Sequence, residues 1–136
     1  YLTKATMHKL PIYQPLPILS AGFPSPAEDF EQMALSLDQA YIKNKEATFF
    51  ARVAGDSMVE AGIEEGDLLI IDRSITPTSG KIVVGYLEGA FTVKRLIQSN
   101  GKVYLQPENK RYSTIDVNQV QDFRIWGVVT TVIKQV

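Results

Sequence analysis

The sequence contains no cysteine and only one histidine, and both absences restrict the chemistry that the chain can perform. Without cysteine there can be no disulfide, no thiolate nucleophile and no cysteine-ligated zinc. The single histidine, His8, lies in a proline-rich N-terminal segment outside the patterned part of the chain. A Ser-His-Asp triad therefore has no well-placed base. We expect neither a metal site nor a cofactor.

Strong charge and long apolar runs are also missing. The net charge is -1 and the pI is about 5.8, so the chain lacks the basic surface typical of nucleic-acid binding. No apolar run approaches the roughly 18–20 residues of a membrane span, and the first residues lack the apolar core of a signal peptide. We therefore predict a cytoplasmic protein that neither binds DNA directly nor enters a membrane.

Residues 1–26 differ from the rest of the chain in their proline content. Five of the seven prolines lie between Pro11 and Pro26. Proline fixes its own φ angle, removes a backbone donor and biases the preceding residue toward extended conformations. This pattern predicts an extended N-terminal arm over residues 1–26, followed by a folded domain over 27–136. On composition alone, a simple disordered tail remains an equal alternative.

A short helix is predicted at the start of the folded domain. Ser25 suits an N-cap, Pro26 suits the first helical position, and Glu28 completes a capping box. Apolar residues then follow at helical spacing, at Phe30, Met33, Ala34 and Leu37. Asp38 is predicted to cap a second short turn through residues 39–42.

From residue 47 onward the pattern changes to short β runs separated by turn residues. We predict strands at residues 48–53, 67–72, 82–87, 90–97, 102–107 and 125–133. Glu88-Gly89 and Asn100-Gly101 are predicted two-residue hairpin turns. The fold class that follows is mainly β, a compact antiparallel β-barrel-like domain with a short N-terminal helix and an extended N-terminal arm.

Two residues are candidates for chemistry. Ser57 follows a strand and a glycine that permits a sharp turn, which would expose its hydroxyl near backbone amides. Lys94 lies within a strand and shares a face with Thr92 and Leu96, without a carboxylate on that face. A buried lysine without a counter-charge has a lowered pKa. A turn serine that bonds its own backbone and a solvent-facing lysine remain the ordinary alternatives.

Several motifs in order resemble the LexA/UmuD family of self-cleaving Ser-Lys peptidases (peptidase S24), and its UmuD-like members in particular. They are Ala21-Gly22-Phe23-Pro24-Ser25-Pro26, Gly55-Asp56-Ser57-Met58, Glu65-Gly66-Asp67-Leu68-Leu69-Ile70 and Phe91-Thr92-Val93-Lys94-Arg95-Leu96. The separations agree as well, with 35 positions from Gly22 to Ser57 and 37 from Ser57 to Lys94. The resemblance implies a fold of the LexA C-terminal, β-clip type.

The resemblance also implies a mechanism. Ser57 would attack the carbonyl of Ala21, with neutral Lys94 as the base and later the proton donor to the amine of Gly22. The backbone amides of Asp56 and Ser57 would hold the oxyanion. The family's best-known UmuD has cysteine where this chain has Ala21, but alanine also occurs at LexA-type cleavage bonds.

The biology implied by the resemblance is that of the SOS response to DNA damage. UmuD-like proteins form homodimers and cleave themselves faster on a RecA–single-stranded DNA filament. Their shortened form is an accessory subunit of a UmuC-like, error-prone Y-family polymerase in translesion synthesis.

Three alternatives remain. The chain could be a non-enzymatic, β-rich polymerase interaction subunit, or a peptidase fragment of LexA or phage-repressor type. A signal-peptidase-like enzyme would use the same dyad but needs a membrane anchor. The 21 residues before Gly22 show no helix-turn-helix pattern, which favours the UmuD-like interpretation over a repressor.

Overall fold

The computed structural model describes residues 3–4, 19–22 and 36–136, and the chain divides into two compact units. One unit contains Asn44–Val136 together with the two-residue strand β1 (Thr3–Lys4). The other is Met7–Lys43, in which the described secondary structure is helix α1 (Leu37–Tyr41). Residues 23–35 lie outside the described residues. The predicted helix start at Ser25 and the predicted boundary after residue 26 therefore stay predictions.

The N-cap of helix α1 differs from the prediction. Ser36 has an extended backbone, and its hydroxyl accepts the N–H of Gln39 at 3.3 Å. Asp38 lies inside the first turn, so the predicted cap at Asp38 is wrong. Serine and aspartate both cap helices well, and the chain becomes helical at Leu37, immediately after Ser36.

The larger unit is built on one antiparallel sheet. Besides β1, its strands are β2 (Thr48–Arg52), β3 (Leu68–Asp72), β4 (Ile82–Leu87), β5 (Ala90–Ser99), β6 (Lys102–Gln106), β7 (Ile115–Asp116) and β8 (Phe123–Ile133). In the described residues these eight strands have the order β1-β2-β3-β8-β4-β5-β6-β7, which gives an open sheet. Single turns of 3-10 helix cover Lys45–Ala47 and Val59–Ala61. The predicted mainly β, compact antiparallel class is confirmed.

Both predicted hairpin turns are present. Glu88 and Gly89 join β4 to β5 with φ angles of 49° and 88°, and Asn100 and Gly101 join β5 to β6 with 53° and 77°. A two-residue turn with positive φ at both positions matches the twist of the flanking strands. These turns fix the register of β5, in which Lys94 lies opposite Val83 of β4.

Strand β8 carries two bulges, which bend the centre of the sheet. Its pairing with β3 skips Thr130, and its pairing with β4 skips Trp126. An extra residue on one strand increases the local bend and twist. Gly127 follows the second bulge where the backbone packs against β3, and a Cβ atom there would lie 2.6 Å from Ile71. The sheet therefore requires glycine at this position.

The sheet buries apolar side chains in two clusters. One cluster contains Met58, Ile63, Leu69, Ile71 and Val84. The other contains Val83, Leu96, Leu105, Val117 and Val128. Neighbouring residues of β4 contribute to different clusters because side chains alternate along a strand. In the described parts of the chain, no helix is long and apolar enough to cross a membrane.

Candidate active site

Ser57 lies in a tight turn between strand β2 and the 3-10 turn Val59–Ala61. We call residues 55–58 the Ser57 turn. Gly55 opens it with a φ of 88°, a left-handed conformation that glycine adopts without strain. The N–H of Gly55 donates to the carboxylate of Glu65 at 3.1 Å. Met58 closes the turn and is buried in the first core cluster. The turn is therefore anchored at both ends.

Lys94 projects from β5 to the hydroxyl of Ser57. Its Nζ atom lies 3.0 Å from Ser57 Oγ, 2.7 Å from Thr92 Oγ1 and 3.1 Å from the carbonyl oxygen of Val93. The residue is only 9% exposed, and every one of these partners is uncharged. Burial lowers the pKa of Lys94 below its ordinary value of 10.5, because a desolvated amine favours its neutral form.

These three contacts can be made by the ammonium form, which donates all three, and also by a neutral amine. A neutral lysine has two N–H donors and one lone pair. The carbonyl of Val93 can only accept, and the hydroxyl of Thr92 is able to accept. In the neutral form, with both N–H groups donated there, the lone pair would face Ser57 Oγ and could accept its proton. The arrangement is therefore suited to general-base activation of a serine.

The predicted oxyanion donors are the backbone amides of Asp56 and Ser57. Within the described part of the chain, neither N–H has a hydrogen-bond acceptor, and the same holds for Met58. Buried backbone donors are nearly always paired, and unpaired ones beside a serine hydroxyl are available to a ligand. The assignment of Asp56 and Ser57 as oxyanion donors stays a prediction.

Two cavities are both lined by Gly55, Ser57 and Lys94. The larger, about 550 Å³, has a mainly apolar lining that includes Val53, Met58, Leu69, Val84, Phe91 and Val93. The smaller, about 460 Å³, is also lined by Asp56, Pro107, Tyr112, Ser113 and Ile115. Space for a bound segment is therefore present beside Ser57.

The segment after β6 was missed by the sequence analysis and forms one wall of the site. Asn109 Nδ2 donates to the carbonyl oxygen of Asp56 at 2.8 Å, and the N–H of Glu108 donates to the carbonyl oxygen of Ser57 at 2.8 Å. Proline and asparagine are both turn residues, and Pro107 and Asn109 together predict a turn at this place. Nothing in the sequence indicates that the turn contacts residues about fifty positions earlier.

The carboxylate of Asp56 contacts two side chains from the segment after β6. The hydroxyl of Tyr112 donates to Asp56 Oδ1, and a guanidinium nitrogen of Arg111 lies 3.9 Å from Asp56 Oδ2. The hydrogen bond to Asp56 raises the pKa of Tyr112 above its ordinary value. The carboxylate nearest to Ser57 in sequence is therefore engaged at the surface, and none of the ion pairs in the described residues includes Lys94.

The predicted cleavage bond lies in the other compact unit. Ala21 and Gly22 are exposed in a bend, and the N–H of Gly22 donates to Ser20 Oγ at 3.2 Å. The structure brings Ser57 and Lys94 together within one unit and describes Ala21-Gly22 separately. His8 lies outside the described residues. Among the residues that are described, no group of three or more potential metal ligands is clustered.

Comparison with known proteins gives a consistent picture. The model of the family described as Peptidase S24-like matches residues 11–130. Protein MucA of Salmonella typhimurium is 41% identical over 125 residues, which cover 91% of this chain and 84% of MucA. Protein SamA of Salmonella typhimurium (strain LT2) is 44% identical over 115 residues, covering 85% and 79%. The LexA repressor of Clostridium perfringens is 44% identical over 103 residues, covering 73% of this chain and 49% of the repressor.

Proposed function

Because the chain belongs to the Peptidase S24-like family, we propose that it is a serine peptidase that cleaves its own Ala21-Gly22 bond. Ser57 is the nucleophile in this proposal and Lys94 is the general base. The observation that carries it is the 3.0 Å separation between Lys94 Nζ and Ser57 Oγ, with Lys94 buried among uncharged partners. The family assignment agrees with the resemblance that the motifs indicate.

The proposed reaction conserves atoms and protons through two steps. Ser57 Oγ attacks the carbonyl carbon of Ala21 while its proton passes to Lys94 Nζ, giving a tetrahedral oxyanion. The C–N bond then breaks, Lys94 returns the proton to the amine of Gly22, and Ala21 is left as an ester on Ser57. Water attacks this ester with Lys94 again as base, which releases the carboxylate of Ala21 and restores Ser57.

The environment of Lys94 supports its role as base at neutral pH. An ordinary lysine is neutral in only about one molecule in a few thousand at pH 7. Burial lowers the pKa of Lys94, so that a larger fraction holds the lone pair that the first step needs. The unpaired N–H groups of Asp56 and Ser57 would stabilise the oxyanion, typically the largest single contribution in such reactions.

The bond itself is suited to a narrow cleft. Ala21 and Gly22 have the smallest side chains available, and both are exposed. A segment that must lie extended over Ser57 meets few steric barriers with such residues. We expect Gly22→Glu to block cleavage without disturbing the sheet. Mass spectrometry of the fragments measures this cleavage, and normal cleavage of the Gly22→Glu variant would contradict the assigned bond.

The shortened product retains the sheet almost completely. Cleavage before Gly22 removes residues 1–21, which among the described residues contribute only β1 to the sheet, while β2–β8 and both core clusters remain. This supports a role for the product as a working form. By analogy with the UmuD-like members, we propose a cytoplasmic homodimer in the SOS response, an accessory subunit of a UmuC-like Y-family polymerase, cleaved faster on a RecA–single-stranded DNA filament.

The central test is incubation of the purified protein at pH 10 with mass spectrometry of the fragments. We expect two products, residues 1–21 and 22–136, and no cleavage in Ser57→Ala. Ser99→Ala is the matched control, because Ser99 lies at the exposed end of β5 and lines neither of the two cavities. Shortening of Ser57→Ala at the wild-type rate would assign the cut to another protease and leave a non-enzymatic polymerase subunit as the better interpretation.

A further inference from the structure

Two consecutive residues hold the carbonyl groups on either side of the Ser57 amide. Asn109 Nδ2 donates to the carbonyl oxygen of Asp56, 53 positions earlier in the chain, at 2.8 Å. The N–H of Glu108 donates to the carbonyl oxygen of Ser57 at 2.8 Å. The two peptide groups that flank Ser57 are therefore each fixed by a contact from outside the Ser57 turn.

Asn109 is itself fixed in one orientation. Its side chain is only 8% exposed, and its Oδ1 atom accepts the N–H of Arg111 at 2.9 Å. A flipped amide would place nitrogen against an N–H donor and oxygen against the carbonyl of Asp56, which loses both bonds. Neighbouring Glu108 is held as well, since its carbonyl accepts the N–H of Glu60 at 2.8 Å and its carboxylate pairs with Arg95 at 3.1 Å.

The carbonyl oxygen of Asp56 accepts two hydrogen bonds, a long one from the N–H of Val59 at 3.4 Å and the shorter one from Asn109 at 2.8 Å, and its direction sets where the Ser57 amide points. The carbonyl of Asp56 and the N–H of Ser57 belong to one planar trans peptide, in which they point in opposite directions. A carbonyl held toward Asn109 therefore directs the Ser57 N–H away from Asn109. In the part of the chain that the structure describes, that N–H has no acceptor. A hydrogen bond to the carbonyl also polarises the peptide and strengthens its N–H as a donor.

We propose that Asn109 is a positioning residue that aims the Ser57 amide at the oxyanion of the self-cleavage reaction. The inference rests on the proposed function, in which Ser57 attacks Ala21. Asn109 does not touch the reacting atoms and acts through the Asp56–Ser57 peptide group. The competing explanation is that Asn109 merely holds two loops together, and the two explanations differ in what they predict for the cleavage rate.

The test measures the first-order rate of self-cleavage between pH 7 and 11 in wild type, Asn109→Ala and Asn109→Asp. Loss of one oxyanion donor typically costs about 10²–10³-fold, and a misaimed donor should cost less, so we expect the high-pH rate to fall about 10–100-fold. The pH midpoint of Asn109→Ala should not change, because Lys94 keeps its partners. Asn109→Asp retains an acceptor for the Arg111 N–H. It replaces the donor with a negative charge that repels the Asp56 carbonyl and the oxyanion, so its high-pH rate should fall at least as far.

Asn118 provides a matched control. Its side-chain amide also bonds one backbone group at each end, donating to the carbonyl of Val103 at 2.9 Å and accepting the Val103 N–H at 2.8 Å. Asn118→Ala removes the same kinds of bond from β6, together with a bond to Asp116 Oδ1, at an exposed position outside the site. We expect its cleavage rate to stay within about twofold of wild type, as for a substitution far from the reacting groups. Thermal unfolding of all variants shows whether each is folded.

The outcomes are distinguishable. Wild-type cleavage with unchanged rates in both Asn109 variants would overturn this inference and leave the proposed function standing. The cleavage rate could instead fall in both Asn109→Ala and Asn118→Ala, in proportion to the loss of thermal stability in each variant. That result would mean that Asn109 has a merely structural role, and it would also overturn the inference. A shifted pH midpoint with an unchanged high-pH rate would overturn the inference as well. It would mean that the substitution changes the pKa of Lys94 and leaves the oxyanion donor unaffected. A wild-type chain that does not cleave itself would overturn the proposed function and this inference together.

Discussion

Lys94 and Lys134 belong to the same compact unit, and their surroundings shift their pKa values in opposite directions. Lys94 is buried, and its three hydrogen-bond partners carry no charge. Lys134 follows β8, with its Nζ atom 2.5 Å from Asp67 Oδ2 and 3.0 Å from Glu64 Oε1. Burial lowers the pKa of Lys94, whereas the hydrogen bonds to Asp67 and then Glu64 raise the pKa of Lys134.

The comparison shows what makes a lysine a candidate base. Both side chains make several hydrogen bonds, so the number of contacts does not separate them. The difference is that carboxylates stabilise the ammonium form, and neutral oxygens in a desolvated site do not. Lys134 connects the end of the sheet to the turn before β3, whereas Lys94 in the neutral form that the proposed function requires would have a lone pair for Ser57. Removing either amine, or giving Lys94 a carboxylate partner, should therefore affect the two sites differently.

The largest expected effect is removal of each amine. Lys94→Met keeps the apolar stem but has no base, and the self-cleavage rate at pH 10 should fall about 10²–10⁴-fold. Lys134→Met makes the same substitution at a distant site. Its cleavage rate should stay within about twofold of wild type. Band intensities on denaturing gels over time measure both rates. Similar losses in the two variants would show that the amine of Lys94 has no special role.

The second prediction gives Lys94 the kind of partner that Lys134 has. Thr92→Asp places a carboxylate where a hydroxyl now lies 2.7 Å from Lys94 Nζ. An adjacent opposite charge raises the pKa of a lysine by about 1–3 units, so cleavage at pH 7 should slow about 10–1,000-fold and recover as the pH rises. Thr92→Ser, which keeps the hydroxyl, is the control. A pH–rate profile that does not move would contradict the base assignment.

The third prediction concerns stability, where the two lysines act with opposite signs. The pKa of folded Lys94 lies below 10.5, so between that pKa and 10.5 the unfolded chain binds more protons and stability rises with pH. Below its folded pKa, Lys94 imposes the full cost of a buried ammonium on the folded protein. The raised pKa of Lys134 means that its stabilisation is fully present below 10.5 and is lost as the pH rises through its folded pKa.

Lys94→Met should therefore raise the melting temperature at pH 7, by an amount equivalent to about 1 kcal/mol in the free energy of unfolding. The reason is that an apolar side chain replaces a buried amine that has no carboxylate partner. Lys134→Met should lower the melting temperature at the same pH. Both are compared in a Ser57→Ala background, which keeps the chain uncleaved during thermal unfolding. Two shifts of the same sign would mean that the electrostatic difference between the sites does not control their stability.

Features of the fold that depend on residues adjacent in sequence, such as turns and strand alternation, could be predicted from the sequence. Glu88-Gly89 and Asn100-Gly101 give the hairpin turns because their short loops require positive φ. Alternation along β5 correctly placed Thr92 beside Lys94. The cap of α1 was placed at Asp38 instead of Ser36, since both residue types suit the position. Strand β7, only two residues long, has too short a pattern to detect.

Features that join distant parts of the chain were less predictable. The pairing of Ser57 with Lys94 came from the family resemblance, since the residues alone left ordinary alternatives open. The bulges at Trp126 and Thr130 depend on the packing of β8 between β3 and β4, and no local pattern indicates them. Asn109 was missed because its role depends on the carbonyl of Asp56, which only the folded chain brings within reach.

The smallest expected effect concerns Asp56, the acidic side chain next to Ser57 in sequence. Its carboxylate accepts from the hydroxyl of Tyr112 and lies near Arg111, and all three side chains are substantially exposed. Tyr112→Phe removes one of these contacts. Solvent screens a charge at the surface, so we expect the cleavage rate to change less than about twofold and the pH midpoint to stay constant.

Tyr104→Phe, on β6, is the matched control for loss of a tyrosine hydroxyl. A higher pH midpoint in Tyr112→Phe alone would mean that the released carboxylate reaches Lys94 and raises its pKa. In that case the hydrogen bond from Tyr112 would prevent the Asp56 carboxylate from pairing with Lys94. Tyr112 would then help to keep the pKa of Lys94 low, in contrast to the raised pKa of Lys134. An unchanged midpoint in both variants would instead mean that burial and the neutral partners of Lys94 are sufficient to keep it a base.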